Sequence, residues 1–146
     1  MEIKVQCVGM KKLVEQVKKG QGSMVDMSPF WQSVGMYMVK RTMRCFDKEQ
    51  SPDGVKWKPL SKARIKQRNK RHKGGTMKIL SDTGALRRSI AYKAFQSRVI
   101  FGSVLAYAAN HQFGGTVPAR PYLGVTEDDK QKVLTMMKTY LKRNLT

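Results

Sequence analysis

Carboxylates are scarce in this sequence: ten Asp and Glu residues stand against 29 Lys and Arg. They are dispersed, and three of them, Glu127, Asp128 and Asp129, fall together where a helical pattern begins. No cluster is left to hold the divalent ions of a metal-dependent nuclease. Cysteine is equally sparse. Cys7 and Cys45 lie far apart in apolar contexts, without a Cys-x-x-Cys spacing or a nearby histidine, which argues for core thiols and against metal or redox chemistry. Of the two histidines, His72 sits in a basic run, and His111 paired with Ser89 or Ser103 lacks a third group to orient it as a base. The Gly-x-x-x-x-Gly-Lys-Ser/Thr phosphate loop is missing. No apolar run approaches the roughly 18 residues of a membrane span, and no secretory leader pattern opens the chain. The expectation is a protein made in the cytoplasm, with no catalytic residues, no metal, no cofactor and no membrane contact.

What remains is enough for one folded unit. A chain of 146 residues with 40% hydrophobic and 27% charged residues can bury about two-thirds of its unfolded surface around a single core, so residues 1–146 are read as one domain. The net charge of +19 is clustered, and such a field favours polyanions or acidic protein surfaces.

Glu2 to Val8 alternates with the period of a half-buried strand, and Met10 to Lys19 changes to helical spacing before the Gly20-Gln-Gly22 loop. Ser28-Pro29 is a helix start, with Ser28 as the capping acceptor, and the helix should run to about Phe46. Trp31, Val34, Met38, Thr42, Cys45 and Phe46 share its core face. Ser51-Pro-Asp-Gly54 has turn chemistry, followed by an extended segment anchored by Trp57 and Leu60. Asp82 or Thr83 caps a helical turn carrying Leu86; Ser89 to Ala94 and Ser97 to Gly102 form a hairpin. Thr126 caps a last helix with acids in its first turn, bases in its last, and Val133, Met136, Met137, Tyr140 and Leu141 on its buried face. No internal repeat occurs. Without regular β-α-β alternation, the class is α+β: a small antiparallel sheet with two longer helices packed on one face, plus a basic flexible arm.

That arm is Lys62 to Gly75, where Lys62, Arg64, Lys66, Arg68, Lys70, Arg71 and Lys73 accumulate. Too little there is apolar for a core, so a mobile segment with transient helix near Ser61 to Arg68 is expected. It is the candidate contact for DNA or an acidic surface. It has no interleaved aromatic and no helix-turn-helix or finger spacing, so any nucleic-acid binding would be independent of sequence.

The densest stretch is Tyr107 to Gly124. A short helix over Tyr107 to Phe113 should end at Gly114 and Gly115, which can take backbone angles closed to other residues. Pro118 and Pro121 then hold Val117 to Leu123 extended. His111 is read as bonding backbone groups around the turn. Arg120, stiffly presented between prolines, reaches either a partner or an internal carboxylate. His111, Gln112, Phe113, Arg120 and Tyr122 are the candidate contacts with a subunit or partner, and Gly114, Gly115, Pro118 and Pro121 shape the loop.

Three blocks in this order and spacing, Ser51-Pro-Asp-Gly-Val-Lys-Trp-Lys-Pro-Leu60, Leu80-Ser-Asp-Thr-Gly-Ala-Leu-Arg-Arg-Ser-Ile90 and Tyr107 to Gly124, resemble the virion morphogenesis, or tail completion, family of tailed bacteriophages. The resemblance runs from about Phe46 to Leu141. It implies a non-enzymatic protein that finishes the tail and joins it to the head. Its partners would be other tail or head-tail connector proteins and further copies of itself in a ring, and it would act in the bacterial host cytoplasm, often from a prophage, and then in the virion. A sequence-independent nucleic-acid binder using the basic arm is the alternative, and the two overlap where packaged DNA passes the junction.

Overall fold

The computed structural model describes residues 2–5, 25–73 and 77–145. The expected helix Met10 to Lys19, the Gly20 to Gly22 loop, Cys7, Gly74 and Gly75 lie outside them, as does the end of the first strand. Among the described residues β1 (Glu2–Val5) is followed by α1 (Ser28–Lys48), α2 (Lys62–Arg71), α3 (Ala85–Arg88), β2 (Ala91–Ala94), β3 (Val99–Gly102), α4 (Ala108–Phe113) and α5 (Glu127–Leu145). The strands form one antiparallel sheet in the order β1-β3-β2. The α+β class with a small antiparallel sheet is therefore what the chain adopts.

The β2–β3 hairpin pairs Tyr92 with Phe101 and Ala94 with Val99, and the alternation buries Val99 and Phe101. Long helix α1 lies on this sheet. Gly35 permits the approach, because a Cβ there would stand 2.2 Å from Cδ2 of Tyr92. The expected apolar face of α1 is fully buried, from Trp31 to Phe46, and Cys45 sits in it as a free thiol whose pKa burial raises. Helix α5 packs against α1 and buries Val133, Met137 and Leu141.

Two caps differ from the sequence reading. At the start of α1 the Asp26 carboxylate, not Ser28, accepts the Ser28 amide at 2.9 Å. The helix ends at Glu49 in a left-handed conformation, φ 53°. Ordinarily such a conformation favours glycine or asparagine; here the Glu49 carboxylate is used, accepting the Ile79 amide at 2.6 Å.

Asp129 does more than favour a helix dipole. Thr126 caps α5 as expected, with Asp129 N–H donating to Thr126 Oγ1 at 3.2 Å and Thr126 donating back to Asp129 Oδ2, which is a capping box. The other oxygen accepts Tyr37 Oη at 2.7 Å and Arg41 Nε at 3.2 Å, and Arg41 continues to the Pro52 carbonyl. A fully buried carboxylate thus ties α1, α5 and the Ser51–Gly54 turn together. Burial pushes its pKa up, but the hydrogen bonds from Tyr37 and Thr126 and the charge of Arg41 outweigh that and leave it lowered. Burial and the same carboxylate push the Tyr37 phenol up to about 12.

Asp129→Ala is expected to cost about 3 kcal/mol, because it strands Arg41 and Tyr37, and to lower the unfolding temperature by about 10 °C. The folded pKa lies below the unfolded one, so the carboxylate's contribution is complete above the ordinary carboxylate pKa and lost as pH falls through the folded value. Thermal unfolding should show the gap between wild type and variant narrowing as pH falls below the ordinary carboxylate range. A gap independent of pH would mean that ionisation of Asp129 does not hold the network.

Candidate functional site

The three blocks that are separate in sequence meet in space. They line one cleft of about 910 Å³, with Pro59 from the first block, Asp82 and Leu86 from the second, and Tyr107, His111 and Arg120 from the third. Helix α2 supplies another wall through Arg64 and Arg68.

The first block folds as expected. Ser51 and Gly54 close a turn, with Gly54 N donating to Ser51 O at 2.9 Å and Gly54 at φ 85°. Trp57 is buried and donates Nε1 to the Pro121 carbonyl at 2.7 Å. In the third block α4 ends at Gly114 and Gly115, both at positive φ, 84° and 148°. Gly114 also faces Ala119, whose amide nitrogen would lie 3.2 Å from a Cβ.

Beyond the glycines the chain runs without strand partners to Thr126, and side chains satisfy its backbone. Gln112 is the main one. Its Oε1 accepts the Tyr122 and Leu123 amides, both at 3.0 Å, and its Nε2 donates to the Leu123 carbonyl at 2.8 Å. Arg120 N–H donates to His111 O at 2.7 Å. The Arg120 guanidinium donates to the carbonyls of Lys58, at 2.8 Å, and Pro59, at 3.1 Å. Tyr122 is fully buried against Phe46, with its hydroxyl on the Ala108 carbonyl.

These contacts revise the expected roles of the loop residues. Gln112, Arg120 and Tyr122 are buried within the chain, so they build the loop and present no surface to a partner. Arg120 meets backbone carbonyls, where a carboxylate or an external partner was expected. His111 does not hold the turn through its ring: Nδ1 is buried with no hydrogen-bond partner among the described residues, and the ring stands edge-on to Tyr107. Burial, reinforced by Arg120 and Arg64, lowers its pKa, so the imidazole is neutral near pH 7. Phe113 alone of the five is strongly exposed, at 69%.

The basic stretch also departs from expectation. A regular helix, α2, spans Lys62–Arg71, capped by the Ser61 hydroxyl on the Arg64 amide. Nor is it wholly outside the core, because Arg68 is buried. Its Nη1 donates to the Lys78 carbonyl at 2.7 Å, and its Nε lies 3.6 Å from Asp82. Arg64 reaches the other oxygen of Asp82 at 2.9 Å. Asp82, expected to cap the turn before Leu86, instead anchors α2 to the second block; Gly84 takes the capping position, and the Thr83 hydroxyl accepts the Ala85 amide.

The cleft walls carry Lys58, Arg64, Arg68 and Arg120 against Asp82, a cationic surface without an evident nucleophile. Ser89 and Ser103 hydrogen-bond each other at 2.6 Å. Among the described residues no group of three His, Cys, Asp or Glu side chains could hold a metal ion, and no helix is long and apolar enough to cross a membrane.

Comparison with known proteins gives this surface a setting. The phage virion morphogenesis family matches residues 8–142, which extends the likeness well before Phe46. A G protein of Escherichia phage Mu, whose name assigns it to capsid assembly, is 33% identical over 106 residues, covering 66% of this chain and 67% of that protein. The Mu-like prophage FluMu G protein 1 of Haemophilus influenzae is 28% identical over 127 residues, covering 85% and 86%. No solved structure matches the chain.

Gln112→Ala is expected to cost about 2–3 kcal/mol, since it leaves two buried amides and a carbonyl unpaired. His111→Ala removes a ring whose Nδ1 has no hydrogen-bond partner among the described residues, and should cost less than about 1 kcal/mol by the same measure. Urea unfolding of both variants tests this. The reverse order would return the loop-holding role to His111. Gly114→Val should cost on the order of 1–3 kcal/mol through backbone strain.

Proposed function

Since the chain belongs to the phage virion morphogenesis family, we propose that it is a tail completion protein that joins head to tail, structural and not enzymatic. The virion-assembly role follows from the family; the position at the head-tail junction is the proposal. One observation carries it. The blocks that resemble the tail completion family converge on a single cleft, so the shared residues shape one surface. Beside their internal bonds, the same region leaves large apolar side chains in water: Val104 at 84%, Tyr107 at 42% and Phe113 at 69%. Exposed apolar groups concentrated in ten residues favour a protein partner.

The name of the Mu relative sets that protein in capsid assembly, and the resemblance of the three blocks is to proteins that finish tails. A place where head meets tail accommodates both. On this reading the partners are connector or tail proteins and neighbouring copies in a ring, assembled in the bacterial cytoplasm and retained in the virion. Phe113 and the exposed edge of Tyr107 are the contact groups, while Gln112, Arg120 and Tyr122 keep α4 and the proline segment rigid so that little entropy is lost on docking.

Phe113→Asp should change the unfolding temperature little, because the side chain is 69% exposed, and should reduce completed particles on the order of tenfold or more, as loss of an aromatic anchor does. The assay complements a phage lacking the protein and examines the lysate by electron microscopy. Filled heads and finished tails lying apart are the expected picture. Aberrant or missing heads would move the protein to head assembly, and normal particle yield would remove Phe113 from any interface.

A further inference from the structure

Helix α2 divides its charges by residue type and by side. Arg64 and Arg68 face the cleft and bind Asp82 and the Lys78 carbonyl. Lys62, Lys66 and Lys70 follow at intervals of four, and Lys73 continues the row just beyond the helix end. With 3.6 residues per turn these lysines fall on one side, roughly opposite the arginines. All four are exposed on one open face, with Ile65 and Asn69 between them. Among the described residues none has an ion-pair partner.

Such a row opposes its own helix. Like charges four residues apart destabilise a helix, and α2 has no acidic residue in its first turn to offset the dipole. The helix persists because the Ser61 cap and the arginine contacts hold it from the other side. Arg64 and Arg68 therefore have a structural task, while the four lysines make no ion pair among the described residues.

We propose that this lysine row binds the phosphate backbone of duplex DNA without reading its sequence. Lysine acts on phosphate as a mobile point charge, which needs no fixed geometry. Steps of four residues place successive ammonium groups about 6 Å apart along the helix, against a duplex carrying one charge per about 1.7 Å of axis, so every lysine has a phosphate within reach. An acidic protein partner fits less well, because protein interfaces are depleted in lysine and built on aromatic and arginine anchors, and this face has neither. Single strands are disfavoured as well, since no aromatic side chain is there for a base to stack on. The inference is independent of the tail-completion reading: it rests on the lysine row alone and stands if the protein acts elsewhere in the virion.

The test is fluorescence anisotropy of a labelled 24-base-pair duplex of arbitrary sequence, titrated with the full chain at several salt concentrations. Four phosphate contacts contribute a slope of about −3.6 in log K against log salt, a loss of about 150-fold for a fourfold rise in salt. Replacing Lys62, Lys66, Lys70 and Lys73 by serine should remove that contribution and leave the unfolding temperature unchanged or slightly higher. The double variant Lys66→Gln with Lys70→Gln should remove about half of it and keeps the test valid if the fourfold variant misfolds. Serine at Lys40, Lys48, Lys132 and Lys138, an equal charge loss elsewhere, should retain most of the slope. Equal losses from the two fourfold variants would mean that the bulk field and not the row binds DNA, and would overturn the proposal. Polyglutamate binding as tightly as DNA of equal charge would overturn it in favour of an acidic protein partner.

Discussion

The segment from Val117 to Leu123 carries the constraint on which the rest of this structure turns. Pro118 and Pro121 lack amide donors and fix φ, so the segment cannot join the sheet, yet Tyr122 and Leu123 are buried in the core. Buried backbone groups must find partners, and with no neighbouring strand they find side chains. Gln112 supplies three hydrogen bonds, Trp57 one, and the amide of Arg120 returns to the His111 carbonyl. The Arg120 guanidinium then satisfies the carbonyls of Lys58 and Pro59. The bonds of Trp57 and of the Arg120 guanidinium also fix the first block against the third, so the clasp that solves a local problem of backbone satisfaction also shapes the cleft.

The same logic explains how a helix with six cationic residues in ten positions can sit against the rest of the fold. A guanidinium is planar, donates in several directions and is weakly hydrated, so Arg68 can be buried against one carbonyl and one carboxylate where a lysine would give up more hydration for fewer bonds. Arg64 and Arg68 fasten α2, and its lysines, with Arg71, are left in water. Composition alone does not separate the two roles, because arginine and lysine contribute identically to a charge count.

Much of the fold is legible where a pattern is local and repeated. The apolar face of α1, the Ser51–Gly54 turn, the hairpin, the Thr126 cap and the buried face of α5 all follow from spacing and turn chemistry within a few residues. The site is less legible, because its bonds link residues far apart in sequence. Gln112 and Leu123 are eleven apart, Trp57 and Pro121 sixty-four. The prolines do mark where backbone groups will lack strand partners, and a glutamine on the preceding helical turn is a suitable donor and acceptor, so this one signal was available. Nothing comparable singles out Asp82, whose turn position offered a sufficient local role, or Asp129, whose capping task is real and conceals the bonds to Tyr37 and Arg41. A residue that satisfies one pattern completely gives no hint of a second use.

The scarcity of carboxylates takes on a physical meaning once their places are known. Asp129 is buried under α1; Asp82 anchors α2; Glu49 accepts the Ile79 amide; Asp26 accepts the Ser28 amide; and Asp47 pairs with Arg87. Half of the ten acids are thus engaged in holding backbone or fastening elements, and only Asp26 and Asp47 among these five are exposed. The +19 charge therefore falls mainly on exposed lysine and arginine. Two free copies of such a protein repel each other at low salt. For the proposed ring, association would be favourable only where something anionic lay between or beneath the subunits, or where apolar contacts such as the proposed one at Phe113 outweighed the repulsion. Assembly would then be tied to the site where those conditions meet, and the charge that hinders association in solution would help to confine it to the particle.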